Sequence, residues 1–140
     1  MNGNDFMSWI LRSPFHGMLS NGMMLITVRG RKTGRKYTTP VGFYEKDGNL
    51  WVLTNRERTW WRNLKGGAPI ELLLKREPVN GFAEPELDDK TIRERLVEYV
   101  EHIPASANPM GIHVVDKKPN AADIARVSKD RLFVKIRLSK

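Results

Sequence analysis

Between Met23 and Thr54 the chain sets three short apolar or β-branched runs between turn signals, a pattern that points to antiparallel sheet. Met23–Val28 reads as a strand, Gly30-Arg31-Lys32-Thr33-Gly34 as a turn with glycine at both ends, and Tyr37–Tyr44 as the returning strand. Asp47-Gly48 is a strong hairpin signal and introduces a third strand, Asn49–Thr54. Ile70–Lys75 and Val79–Ala83 supply two more, with a turn expected near Glu77-Pro78. Arg131–Leu138 alternates Leu132, Val134, Ile136 and Leu138 against Arg131, Lys135 and Arg137, as a half-buried strand does. Consecutive hairpins over about six strands predict an antiparallel sheet, and a small closed or split barrel hides its edges.

Helical periodicity is sparser. Asn4 or Asp5 would cap a short helix carrying Phe6, Trp9 and Ile10, ended by Ser13-Pro14. Thr59–Leu64 reads as a short helix with Thr59 as cap and Gly66-Gly67 as stop. Asp88 or Asp89 caps the clearest helix, in which Ile92, Leu96, Val100 and Ile103 share one face. Pro104–Pro119 reads as a long loop of the kind that serves as a lid, and Ala121–Val127 as one or two helical turns. With no repeat or linker, the 140 residues form one α+β domain, mainly β, with residues 1–22 as an N-terminal helical segment.

Composition narrows the function. There is no cysteine, which excludes a disulfide framework, a thiolate zinc site and a cysteine nucleophile. His16, His102 and His113 are widely spaced without clustered carboxylates, so no metal site is expected. No serine sits in a nucleophile elbow, which argues against hydrolysis. No run of about 18 apolar residues and no signal-peptide pattern is present, so a cytoplasmic protein is expected. The formal net charge of +8 favours an anionic partner.

Two segments concentrate the chemistry. In Arg29–Lys36 five of eight side chains are cationic, and the glycines let backbone N–H groups approach an oxyanion. The alternative is a solvated basic hairpin tip. Nucleic acid is not expected, because no helix-turn-helix, zinc-finger or aromatic RNA-binding signature accompanies the basic run. The second segment is Thr54–Leu64. Trp60 and Trp61 are adjacent and so about 100° apart on a helix, which leaves one to pack on the barrel and the other to line a cleft.

Together these segments resemble the deazaflavin-dependent nitroreductase family of the flavin and deazaflavin oxidoreductase superfamily. The resembling stretch is Leu25–Leu74: an apolar strand, Gly-Arg-Lys-Thr-Gly, a strand with Thr-Pro, an Asp-Gly turn, then Trp-Trp-x-Asn-Leu. The family commonly has Trp-Tyr-x-Asn-Leu there, so Trp61 departs from it, and no family motif is matched before residue 23 or after about residue 85.

The resemblance implies the split β-barrel of FMN-binding pyridoxamine-phosphate oxidases and a coenzyme F-420 cofactor, whose tail carries a phosphodiester and glutamate carboxylates. By that matching Arg31, Lys32, Thr33, Gly34 and Arg35 would hold the tail, and Thr38, Thr39 and Pro40 would edge the ring or ribityl chain. Thr54, Asn55, Trp60 and Asn63 would lie near phosphate or ring, with Arg56 a looser match. The implied reaction is hydride transfer between the deazaflavin and an unsaturated, quinone-like or nitro organic substrate. Some family members recruit a C-terminal tyrosine as proton donor. No tyrosine follows Tyr99 here, and His113 is the substitute candidate.

The nearest rival is an FMN enzyme of the same fold, although one phosphate needs fewer cations than the turn offers. A non-catalytic carrier of cofactor or lipid is the other. Phe6, Trp9, Phe15 and Met18 would then cover the ligand or touch a membrane surface, where otherwise they cap the barrel. Split barrels often pair as homodimers, which makes one a candidate assembly.

Overall fold

The computed structural model describes residues 22–74 and 77–139. The expected N-terminal helix, His16 and the end of the fourth strand at Lys75 lie outside them. Six strands close an antiparallel barrel: β1 (Met23–Arg29), β2 (Lys36–Lys46), β3 (Asn49–Asn55), β4 (Ala68–Leu74), β5 (Glu77–Glu86) and β8 (Arg131–Leu138). Their order around the barrel is β1-β2-β3-β8-β5-β4. Closure leaves no free edge, which disposes of the chain's main aggregation hazard.

Register fixes the two faces. Ile26 opposes Thr39 and Leu72, and Val52 opposes Val134, so these side chains point into the barrel with Met24, Val28, Leu50, Ile70, Ala83 and Ile136. The outer face of β2, β3 and β8 is covered by α1 (Asp89–His102), whose buried residues are Ile92, Leu96, Tyr99 and Val100. Asp88 caps it, its side chain accepting from the Thr91 amide. Tyr99 packs 6.1 Å from Tyr44 and 6.2 Å from Phe133, ring centre to ring centre.

This second layer adds to the reading of the last strand. Leu132, Val134 and Ile136 are buried and Arg137 is exposed as expected, but Phe133, on the outer face with Arg131 and Lys135, is fully covered. The reversal expected near Glu77-Pro78 falls just before it: Glu77 already pairs with Leu74 and Pro78 with Leu73 inside β5. The described pairing of β5 with β8 begins only at Gly81, so Pro78 needs no amide proton on that side.

Residues 104–119 fold as a 3-10 turn (Pro104–Ser106), the short helix α2 (Ala107–Met110) and a two-stranded hairpin, β6 (Val114–Val115) and β7 (Lys118–Pro119). Pro104 suits the first helical turn, where its missing amide costs nothing, so proline here starts structure rather than breaking it. α3 (Ala121–Ser128) follows, capped by Asn120, and leads into β8.

Candidate functional site

The end of β1, the start of β2, the end of β3 and the start of β4 all meet at one mouth of the barrel. A five-residue 3-10 helix, Trp60–Leu64, bridges β3 to β4 across that mouth and buries Trp60, Trp61 and Leu64. Thr59 precedes it but makes no side-chain cap. The expected cap fails because Thr59 already has helical dihedrals, whereas a capping residue is extended.

The β1–β2 turn lies against this helix. The Arg31 amide donates to Asn63 Oδ1 at 3.1 Å, and Arg31 Nε donates to the Asn63 carbonyl at 2.9 Å. Arg31 Nη2 also donates to the Lys65 carbonyl. Asn63 Nδ2 closes the set by donating to the Trp60 carbonyl at 3.1 Å. Residues far apart in sequence are thereby locked together, and a cleft of about 530 Å³ opens between them. Gly30, Arg31, Lys32, Thr33 and Tyr37 line one side, and Thr59, Trp60, Arg62 and Asn63 the other.

Both tryptophans are buried in the core, and they differ in their contacts. Trp60 lines the cleft. Trp61 Nε1 donates to the Arg56 carbonyl at 3.2 Å, and Arg62 and Lys65 lie over its ring. Gly30 sits where a Cβ would come within 2.9 Å of Tyr37 Cε2, so glycine lets that ring close down beside the turn.

Of the candidate residues, the cleft thus gathers Arg31, Lys32, Thr33, Trp60 and Asn63. Gly34 and Arg35 shape the turn without lining the cleft. Gly34 has φ +70°, and the Arg35 carbonyl accepts from the Gly30 amide. Thr38 spends its hydroxyl on Thr27 at 2.7 Å, and Pro40 is exposed opposite Leu25. Thr39 shares the inner face with Ile26, and Arg58 Nη2 approaches it at 3.5 Å. Thr54 is buried opposite Leu132 near the same mouth, while the Asn55 carbonyl accepts from the Arg58 amide.

Two candidates stand elsewhere. Arg56 Nε donates to the Arg131 carbonyl at 2.7 Å and its Nη2 pairs with Asp89 at 3.1 Å, tying β3 to β8 and α1. It lines a separate cavity with Asp89 and Arg93. His113 is bound through Nδ1 to Asp123 at 2.8 Å and is not among the residues lining the cleft. Tyr37 and Arg62 were missed by the sequence reading, whereas Thr59 was read as the start of a helix that offers N–H groups to an anion. Only their spacing from Gly30 and Trp60 hinted at them, and that hint has meaning only once the turn is known to meet the helix.

A family profile described as F420H(2)-dependent quinone reductase matches residues 13–114, more than half of the chain. No curated protein matches. Among solved structures, a putative pyridoxamine 5'-phosphate oxidase from Listeria innocua is similar at TM-score 0.57 and 15% identity, covering 96% of this chain and 94% of that one. The heme storage protein from Vibrio cholerae is similar at TM-score 0.55 and 11% identity, covering 90% and 86%. A structure described as an F420-H2 dependent reductase is similar at TM-score 0.51 and 16% identity, covering 84% and 94%. At these identities the structures share the split-barrel fold, which hosts several chemistries.

Proposed function

Because the chain belongs to the F420H(2)-dependent quinone reductase family and takes coenzyme F-420 as its cofactor, we propose that the cleft between the β1–β2 turn and the 3-10 helix is the cofactor's seat. The chain is an F-420-dependent reductase. Its acceptor, on this reading, is a quinone or a comparably electron-poor unsaturated compound, with nitro compounds as a further class. The observation that carries the reading is that Lys32 and Trp60 border one cleft.

The donor set fits the group. A deazaflavin needs an aromatic or apolar wall for its ring and cations for its tail. Trp60 and Tyr37 offer the first, Lys32 and Arg62 the second, and Gly30 leaves the backbone accessible. The hydroxyls of Thr33 and Thr59 add hydrogen-bonding partners on both sides. When bound in its reduced form, coenzyme F-420 would supply a hydride from C5 of its ring, and the protein's share would be orientation and exclusion of water. Trp60, Trp61 and Leu64 keep water from the barrel end, and Arg31 with Asn63 keeps the turn and helix in register. Tyr37 is the one phenol among the described residues lining the cleft, and on this reading it, not His113, delivers the proton.

Tryptophan fluorescence titration with F-420 and FMN tests the seat, and anaerobic mixing with reduced F-420 and quinones, enones or nitroaromatics tests the acceptor. Tighter binding of F-420, with oxidation fastest for quinones, is expected. FMN binding more tightly than F-420 would remove the reading.

A further inference from the structure

We propose that the cavity between α1 and α3 is a second anion site, separate from the cofactor cleft, which takes a phosphate dianion, free or as a monoester. The cavity has a volume of about 300 Å³ and is lined by Arg56, Asp89, Arg93, Ala125, Ser128 and Lys129, none of which borders the cleft. Three elements far apart in sequence each bring one cation to it. Arg56 follows β3, Arg93 stands in the second turn of α1, and Lys129 comes directly after α3.

The cations differ in how they are held. Arg56 Nε donates to the Arg131 carbonyl at 2.7 Å, and its Nη2 donates to Asp89 at 3.1 Å and to the Ser128 carbonyl at 3.3 Å. Its Nη1 makes no hydrogen bond among the described residues, so an anchored guanidinium keeps one nitrogen for a ligand. The bond to Ser128 also occupies a carbonyl at the end of α3, where bare carbonyls repel an anion. Arg93 and Lys129 are exposed, and among the described residues neither makes a salt bridge or a side-chain hydrogen bond. Both can close on a ligand that Arg56 already holds.

Charge selects the ligand. Among the lining residues three cations meet one carboxylate, a surplus of two positive charges. The nearby Asp88 carboxylate is spent on the Thr91 amide and hydroxyl at the start of α1. Gathering like charges costs energy unless an anion offsets them. A phosphate carries close to two negative charges at neutral pH, and arginine grips it through paired N–H groups. A single carboxylate would leave one cation unmatched.

The test titrates the full chain with inorganic phosphate, glycerol phosphate and acetate by calorimetry, and follows backbone amide shifts by NMR. Both phosphates should bind more tightly than acetate, with shifts centred on residues 89–93 and 125–129. The tighter of the two tells the free ion from the ester. Arg93→Gln and Lys129→Gln should each weaken phosphate binding about ten-fold, whereas Lys32→Gln should leave these shifts unchanged. Asp89→Asn keeps an oxygen for Arg56 Nη2 and removes the opposing charge, so phosphate should bind several-fold more tightly. A misfolded variant cannot give that gain. Shifts centred on residues 30–33, or their loss in Lys32→Gln, would put the anion in the cofactor cleft and overturn the proposal. Acetate binding as tightly as phosphate, or indifference to Arg93→Gln, overturns it too. Phosphate binding here by a chain that ignores F-420 would leave this site standing and remove the cofactor seat.

Discussion

Gly30 and Gly42 each lie against a tyrosine, and the burial of that tyrosine decides what a methyl group would do. At Gly30 the new Cβ would press on Tyr37, which is 45% exposed and free to swing. Gly30→Ala should therefore displace a cleft wall, weakening F-420 binding several-fold while leaving thermal unfolding nearly unchanged. At Gly42 the Cβ would overlap the Tyr99 hydroxyl, and Tyr99 is buried beneath Tyr44 and Phe133 with nowhere to go. Overpacking of this kind costs about 1–3 kcal/mol, so Gly42→Ala should shift the urea midpoint clearly downward. Asp123 gives a residue-scale prediction in pH. Its carboxylate accepts from the His113 amide and ring and from Arg126, which together hold its pKa down at about 2. A depressed carboxylate stabilises the fold fully above its unfolded value and loses that contribution as pH falls through the folded one. The stability gap between wild type and Asp123→Asn should then be constant above pH 3.8 and close as pH approaches 2, as chemical denaturation at stepped pH would reveal. Lys32 and Trp60 were visible as candidates because basic turn residues and paired indoles stand out in a sequence. The role of Arg31 was not, because it depends on carbonyls more than thirty positions away.

At the scale of elements, the strands were the easiest to read because side-chain alternation and turn chemistry are both local. β8 shows where local reading stops. Its inner residues Leu132, Val134 and Ile136 alternate as expected, yet Phe133 is buried by a helix whose packing partner no periodicity names. The face of α1 was read as Ile92, Leu96, Val100 and Ile103, and Tyr99 belongs to its buried set as well. Residues 104–119 were harder still, since a four-residue helix and two-residue strands are too short to show a period. α3 gives the test at this scale. It has eight residues, and Asn120 Oδ1 accepts from the Asp123 amide at 3.0 Å to start it. Removing such a cap costs about 1 kcal/mol, and a helix this short has little else of its own to hold it. Asn120→Ala should lower the unfolding temperature and speed amide exchange in α3 and in the adjoining β6–β7 hairpin, leaving β1–β3 protected.

The whole molecule combines a closed barrel, a mouth bridged by a short helix, and a net charge of +8, and these make ligand binding separable into two parts. Attraction between exposed cations and an acidic tail is screened over about 8 Å at physiological ionic strength. Contact between a tricyclic ring and Trp60 is not. Ligand at a hundred times its dissociation constant should add about 2.7 kcal/mol to stability. In a domain of this size that raises the unfolding temperature by roughly 9 °C. The rise with F-420 should shrink as salt is added at fixed ligand concentration and level off at a residue owed to the ring. FMN shares a ring of similar size but has only one phosphate, so its smaller rise should depend less on salt. A rise with F-420 that stays the same from low to high salt would mean that the basic turn contributes nothing to binding, and the cations of the β1–β2 turn would then be no more than a solvated hairpin tip.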